Sequence, residues 1–543
     1  MRAPERAVDG VTASLAGPAC GGVLYFLGYL GWGVWPCLFV FLVPLWWTLE
    51  RARTPALVAG LVFGLTAFAG GFLWLWPLVD VFLDGNRLVG GVLWLAYGAW
   101  FALGFGVYAV LVRTMRGRGW PLAVAGIAPL VAIEWLQPQL FPVNAGSGLV
   151  PVPALIQTAD LGGPLLLTAL VGLANVAAWA TWAWVRGGPR PLGAWIASLV
   201  LALLVLGYGR VRSAELAAAI ATAPALRVGL VQANLGLLEK RTQGLVTHEQ
   251  HLAQTRELLA AGPLDLVVWP ETAYVRGLRG PLPISGRPVL ADLQVPLLFG
   301  GSAVHEHDGM RRTSNSAFLV GADGTIRDAY DKNLLIPVAE YLPLARFVPA
   351  IAGLFPHAQG FGAASGTPPL RLGAWRIATP ICYEVVRADF VRAMVREARP
   401  HLLVTIANDA WFGASAEPWI HLALAQLRAV EHRRFLVRAT NSGVSAVVDP
   451  TGRVVARTGL LTRETLRATV HSLEGETLYG RLGDWPGWVA ALLVLIADPR
   501  LRLGSGRMRG CGVRWHARAP AAAGEAGAAK TSTRTRLGPT EVS

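Results

Sequence analysis

Three residues carry side chains that could perform acyl chemistry together: Glu271 in VVWPET, Lys332 in YDKNLLIP and Cys382 in RIATPICYE. A thiol is a strong nucleophile only beside a base or a positive field, and an attacked carbonyl needs donors aimed at its developing charge. The glutamate supplies the base and the lysine the cation. Each also has a plain reading, as a surface glutamate, a surface lysine and a small buried hydrophobe, and sequence spacing does not show that they meet. No histidine stands at a fixed offset from Cys382, and the nine histidines from His248 to His471 form no HExxH or paired-cysteine pattern. Spacing therefore supports neither a papain-like site nor a metal.

The elements around these residues read as an alternating α/β domain. Leu226–Ala233, Asp265–Pro270, Pro296–Val304, Ser314–Gly321 and the run TIRDAY predict strands, with a helix over Thr247–Leu259. Leu370–Cys382, turning near Gly373, and Leu402–Asp409 predict further strands, followed by an amphipathic helix over Trp419–Arg433 and the strand runs FLVRAT, VSAVVD and TGRVVAR. Glu271 follows one strand and Cys382 closes another. Open α/β sheets keep their sites just past strand ends.

The rest of the chain has another character. Of 543 residues 53% are hydrophobic and 15% charged, against roughly 25% charged in an ordinary soluble chain, and the mean hydropathy is +0.45. The excess lies in blocks that predict eight membrane spans, near 13–31, 34–49, 56–77, 89–112, 121–137, 161–185, 192–208 and 484–498. Arg2 and Arg6, Arg51 and Arg53, Arg113, Arg116 and Arg118, Arg186 and Arg190, and the arginines after residue 499 then all fall on one side, the cytoplasmic one. This divides the chain into a membrane domain (1–208), an extracytoplasmic catalytic domain (209–483), a last transmembrane helix (484–498) and a basic tail (499–543). The net charge of +14 owes much to that tail, where nine Lys and Arg stand against Glu525 and Glu541; it predicts a disordered segment near anionic lipid, with no nucleic-acid module. Cys20 and Cys37 fall in spans and Cys511 in the tail, so Cys382 is the sole external thiol and no internal disulfide is expected there.

The blocks VVWPET, YDKNLLIPVAEYLP, ICYE, ANDAWFG and RAVEHRRFLVRATNSGVSAVVDPTG resemble the signatures of the carbon-nitrogen hydrolase or nitrilase superfamily. With the spans, they resemble specifically its membrane-bound branch, the bacterial apolipoprotein N-acyltransferases, over nearly the whole chain to about residue 500. The resemblance implies an αββα sandwich inserted in a multi-pass inner-membrane protein, facing the periplasm. It implies Glu271 as general base, Lys332 and the backbone N–H of Tyr383 as oxyanion donors, and Cys382 as nucleophile, with Glu384 in support. Glu340 matches an additional active-site glutamate that orients Lys332, holds the incoming amine or makes a structural salt bridge. The implied partners are a phospholipid acyl donor, a diacylated apolipoprotein acceptor and membrane lipid. Leu354, Phe355, Phe361, Trp411 and Phe412 are candidates for lipid contact, or plain apolar packing residues. The sequence departs from the family pattern at Arg241, in place of a tryptophan, at Val338 and Ala339, in place of Phe-Gly, and at Ala407, in place of threonine. Two other readings stand beside this one: a membrane-bound amidase with water as acceptor, and a transporter or scaffold, for which Glu134 is the clearest intramembrane acid.

Overall fold

The structure is a computed structural model. It describes residues 8–497 except 52, 53, 237–243, 308, 309, 344, 346, 349, 351, 352, 354 and 356–359. The described residues form one compact unit, and the basic tail (499–543) lies outside them.

The amino-terminal part is helical. Among the described residues, Arg87–Gly117, Ala159–Val185 and Leu192–Thr222 are long and apolar enough to cross a membrane, and Ala56–Gly71 with Leu73–Phe82 forms a fourth candidate bent by 53°. Leu15–Gly28, Leu122–Leu136 and Trp485–Ala497 are shorter apolar helices. Small residues let the bundle close: a Cβ on Gly60 would meet the Phe105 carbonyl oxygen at 2.1 Å and one on Gly64 the Ala102 Cα at 2.5 Å.

Four of the expected spans differ in detail. The run 34–49 is a 3-10 turn, Trp35–Phe39, followed by a separate nine-residue helix, Val43–Arg51, because Pro36 and Pro44 fit only the first turn of a helix. The third span bends after Gly71, where Pro77 starts the helix Trp76–Phe82. The sixth is kinked at Gly162 and Gly163 ahead of Pro164. The seventh continues past 208 to Thr222, so the boundary drawn there falls inside a helix. Hydropathy fades at Arg210 and Arg212, but helix-forming Ala, Leu and Glu carry on, and Arg212 is paired to Asp160 and Glu215.

Fourteen described strands form two sheets. The first holds β1 (Ala225–Gln232), β2 (Leu266–Val268), β3 (Tyr274–Arg279), β4 (Ile284–Ser285), β5 (Leu297–His307), β6 (Met310–Val320), β7 (Thr325–Asp331) and β14 (Glu464–His471), in the order β14-β1-β2-β5-β6-β7-β4, with β3 on β5. The second runs β13 (Val454–Arg457), β12 (Ala446–Val448), β11 (Leu436–Thr440), β10 (Leu402–Ala407), β9 (Trp375–Ala378), β8 (Leu370–Leu372). Strands β1, β2 and β5 are parallel, as are β9, β10 and β11.

Side-chain alternation explains the layering. Val228, Leu230, Leu266, Val268 and Leu298 join one core with Val404, Ile406 and Val437 of the second sheet, whereas Val231, Val267, Trp269, Leu297 and Phe299 face Leu252 and Leu258 of the helix Gly244–Ala260. Helices Ala388–Ala398 and Glu417–His432 cover the second sheet, which completes the expected αββα sandwich. The inter-sheet core is continuous with that of the amino-terminal helices, and Phe141 against Tyr383 and Trp74 against Phe412 are ring contacts that cross between them. A buried clamp ties the two parts: Arg433 donates from Nε to Asp160 Oδ2 at 2.9 Å and from Nη1 to Gln157 Oε1 at 2.7 Å, and Tyr208 donates to Asp160 Oδ1 at 2.8 Å.

Candidate active site

The loop after β2 carries Glu271, Lys332 is the first residue past β7, and the segment after β9 carries Cys382. All three are buried. Lys332 Nζ stands 2.8 Å from Glu340 Oε1 and 3.4 Å from Glu271 Oε1. Asn315, on β6, donates from Nδ2 to the same two oxygens, at 2.7 Å to Glu271 and 3.1 Å to Glu340. Two carboxylates are thus bridged by two donors, and the amide must present nitrogen because both neighbours are acceptors. The backbone fixes this set: Lys332 N–H donates to the Asn315 carbonyl at 2.8 Å, and Glu340 Oε2 accepts from Ile336 N–H at 2.9 Å. Gly300 leaves the space Glu271 needs, since a Cβ there would lie 2.6 Å from the Glu271 Cα.

Cys382 does not close a strand, contrary to the sequence reading. Strand β9 ends at Ala378, Pro380 has no N–H to extend it, and Cys382 opens the 3-10 turn Cys382–Val386 with φ +51°. This left-handed backbone, uncommon for a side-chain-bearing residue, makes a sharp elbow that sets the thiol off the strand line. Glu384 holds the elbow to the lysine loop. Its carboxyl accepts from Tyr330 OH at 2.8 Å, from the N–H groups of Asn333 at 2.6 Å and Leu334 at 3.0 Å, and from Ile381 N–H at 2.8 Å.

Burial and the charge of Glu271 push the Cys382 thiol well up, while Lys332 pulls it down. A thiol kept protonated this way needs a base to take its proton as it attacks. Burial lowers Lys332, but Glu340 and then Glu271 outweigh it and hold the ammonium charged above the ordinary lysine range. Burial raises Glu384 to about 7, against the hydrogen bonds it accepts. Beneath the elbow, His421 Nε2 lies 3.1 Å from the Cys382 carbonyl oxygen, and Asp409 lies between His421 Nδ1 and Arg438. Asp409, Glu417 and His421 are the three metal-type ligands that come within 4.8 Å of one another among the described residues. Arg438 Nη2, 2.6 Å from Asp409 Oδ2, already fills the cationic place beside that carboxylate.

The apolar candidates divide. Trp411 packs on Phe82 with ring centroids 4.6 Å apart, and Phe412 on Trp74 at 5.8 Å, so both join the site to the amino-terminal helices. Phe355 is buried with Val79 and Leu83, Phe361 is bound through its N–H to the Glu340 carbonyl, and Leu354 lies outside the described residues. Arg241 lies outside them too. Val338 takes φ +73° just before Glu340, and Ala339 and Ala407 are buried. Tyr383 donates its hydroxyl to the Leu140 carbonyl at 2.5 Å. Sequence reasoning missed Asn315, Tyr330, Asp409, His421 and Arg438. Tyr330, Asp409 and Arg438 lie inside the quoted blocks, Asn315 shows as a polar side chain inside the strand run SNSAF, and His421 carried no such signal.

The apolipoprotein N-acyltransferase N-terminal domain family matches residues 21–177, and the carbon-nitrogen hydrolase family matches residues 227–477. The apolipoprotein N-acyltransferase of Geobacter metallireducens is 33% identical over 504 residues, which covers 88% of this chain and 93% of that protein. That of Azotobacter vinelandii is 32% identical over 494 residues, covering 88% and 92%. Among solved structures, Saccharomyces cerevisiae Nit3, a member of branch 10 of the nitrilase superfamily, is similar at 16% identity and a TM-score of 0.36, over 46% of this chain and 90% of that one.

Proposed function

The chain belongs to the apolipoprotein N-acyltransferase family, and on that premise we propose that it moves an acyl chain from a membrane phospholipid, through a thioester on Cys382, to the α-amino group of the N-terminal diacylglyceryl-cysteine of apolipoproteins. The observation that carries the residue assignment is the buried set in which Lys332 bridges Glu271 and Glu340, with Cys382 feeling the charges of both Glu271 and Lys332.

In the first half, Glu271 takes the thiol proton as Cys382 Sγ attacks the ester carbonyl carbon. Lys332 and the Tyr383 N–H stabilise the oxyanion, the carbon–oxygen bond breaks, and the leaving lysophospholipid oxygen takes the proton back from Glu271. In the second half, the acceptor amine attacks the thioester carbonyl, Glu271 accepts its proton, and the thiolate leaves and is reprotonated. The thioester divides an ester-to-amide transfer into two easier steps, and the residues need no cofactor for either.

Membrane residence follows from the substrates. Drawing an acyl chain into water costs roughly 0.8 kcal/mol per CH₂, so a site served from the bilayer avoids that cost. We place the chain as a multi-pass protein of the bacterial inner membrane, with about eight apolar passes, some of them broken, and the sandwich on the periplasmic side. The arginine distribution supports that side, and the exposed Ile196, Leu199, Leu203 and Leu204 support a lipid-facing helix. A transport reading looked to Glu134, but that carboxyl is taken up by Ala145 N–H, Thr168 Oγ1 and Asn144 Nδ2. The test is incubation of the purified protein with phospholipid and a diacylated lipopeptide. N-acylated peptide is the expected product by mass spectrometry; free fatty acid with unmodified peptide would favour an amidase-like hydrolase instead.

A further inference from the structure

Below the catalytic elbow lies a second buried ionisable cluster that the two half-reactions leave unused. Asp409 follows β10, Glu417 and His421 belong to the helix Glu417–His432, and Arg438 is on β11. Their exposures are 1%, 6%, 3% and 0%, so water screens none of their contacts. Arg438 Nη2 stands 2.6 Å from Asp409 Oδ2, and Asp409 Oδ1 stands 3.2 Å from His421 Nδ1. Glu417 Oε1 approaches the same ring nitrogen at 3.6 Å. The chain passes close over the carboxylate at Gly443, where a Cβ would fall 2.0 Å from Asp409 Oδ2. The ring is therefore held from one side, and its other nitrogen, Nε2, meets the Cys382 carbonyl oxygen at 3.1 Å.

A carbonyl oxygen only accepts, so Nε2 carries the hydrogen in this contact; the Asp409 carboxylate only accepts too, so Nδ1 also carries one, and the ring stands as an imidazolium paired with Asp409 against the burial and the Arg438 charge that lower it. That carbonyl belongs to the peptide group joining Cys382 to Tyr383. In a planar trans peptide the C=O and N–H point in opposite directions and cannot turn independently, so whatever orients the Cys382 oxygen also aims the Tyr383 N–H. A donor on the carbonyl further polarises the amide and strengthens its N–H as a donor. The elbow needs such a hold, because Cys382 sits at φ +51° and its left-handed backbone is sterically disfavoured. We infer that His421, aligned by Asp409 and Arg438, is a positioning residue for acyl transfer: through the Cys382 carbonyl it aims the Tyr383 N–H at the oxyanion that forms on the acyl carbonyl. The inference rests on the acyl-transfer reading of Cys382.

Two reactions of the same thiol separate this role from a merely structural one. Acylation by phospholipid passes through an oxyanion, whereas alkylation by iodoacetamide is a displacement at carbon that forms none. His421→Gln carries an amide to about the position of Nε2 and keeps a donor for the Cys382 oxygen. His421→Asn places its amide near Nδ1, facing Asp409, and falls short of that oxygen. The full-length protein in mixed micelles with a dioleoyl phospholipid is followed by intact-protein mass spectrometry. We expect His421→Asn to slow acylation at saturating phospholipid by about 10²-fold, the usual effect of losing one oxyanion donor. The half-saturating phospholipid concentration and the iodoacetamide rate should stay within about threefold of wild type, and His421→Gln should recover acylation to within about tenfold. The inference is overturned if His421→Asn acylates at the wild-type rate, if alkylation falls in step with acylation, or if His421→Gln is as slow as His421→Asn. Wild-type protein that is alkylated but never acylated overturns the acyl-transfer reading itself, and the positioning role with it.

Discussion

Lys332 is held more closely by Glu340, at 2.8 Å, than its 3.4 Å approach to Glu271. In the proposed mechanism the closer carboxylate anchors the ammonium and leaves Glu271 to exchange protons with substrate. Glu340→Gln keeps the shape and removes the anchoring charge. Formation of the acyl-enzyme should slow by about 10²-fold, with a stability loss of about 1–3 kcal/mol, read by single-turnover acylation and thermal unfolding.

Cys382→Ala should leave the protein folded, because a small buried side chain is replaced by a smaller one at the same backbone angle. Intact-protein mass spectrometry after exposure to phospholipid should show one hydroxylamine-labile acyl mass on wild type and none on the variant. A labile acyl mass on well-folded Cys382→Ala would move the nucleophile elsewhere. Glu271→Gln should retain slow acylation from the small thiolate fraction and lose the second, base-dependent step.

Glu384 gives a pH dependence with a definite sign. Its folded value of about 7 lies above the ordinary value of about 4.3, so between these the folded state keeps a proton that the unfolded state has released. Its contribution is fully present below about pH 4.3 and is lost as pH rises through about 7. The unfolding temperature should fall across that window, and the fall should be shallower in Glu384→Gln. An unchanged slope would remove Glu384 as its source.

The clamp between Arg433 and Asp160 should matter far more to stability than an exposed pair. Arg433→Met leaves Asp160 buried with a partner lost and should cost about 3–5 kcal/mol in thermal unfolding. Glu50→Gln, which breaks the half-exposed contact with Arg116, should cost about 0–1 kcal/mol. Similar losses would mean that Asp160 is well served by Arg212 and Tyr208 alone.

Topology can be read with single cysteines in a background where Cys20, Cys37, Cys382 and Cys511 are serine. In spheroplasts, a membrane-impermeant maleimide should label Asp323→Cys, on the turn between β6 and β7, and should label Gly188→Cys only after permeabilisation. The opposite pattern would invert the proposed orientation.

The sequence by itself determined what nearby residues encode. Apolar runs bounded by turn residues made the strands, as in Leu226–Ala233, where the sheet is covered on both faces and every residue from Val228 to Gln232 is buried. The apolar blocks marked the apolar helices, and the run VVWPET put Glu271 just past a strand, where α/β sheets keep their sites. Resemblance named the family before any coordinate was needed. Tertiary structure decided what depends on distant partners: that Asn315 and Lys332 both reach the Glu271 carboxylate, that Arg433 docks on Asp160 at 273 residues' separation, and that His421 lies under the Cys382 carbonyl. It also decided where local patterns ended, carrying the helix from Leu192 on to Thr222 and turning Cys382 into an elbow instead of a strand end. Burial is the physical reason. A buried ionisable group must find its partner within about 3 Å, and which residue arrives there is set by how the sheets and helices pack, not by the residues beside it in the chain.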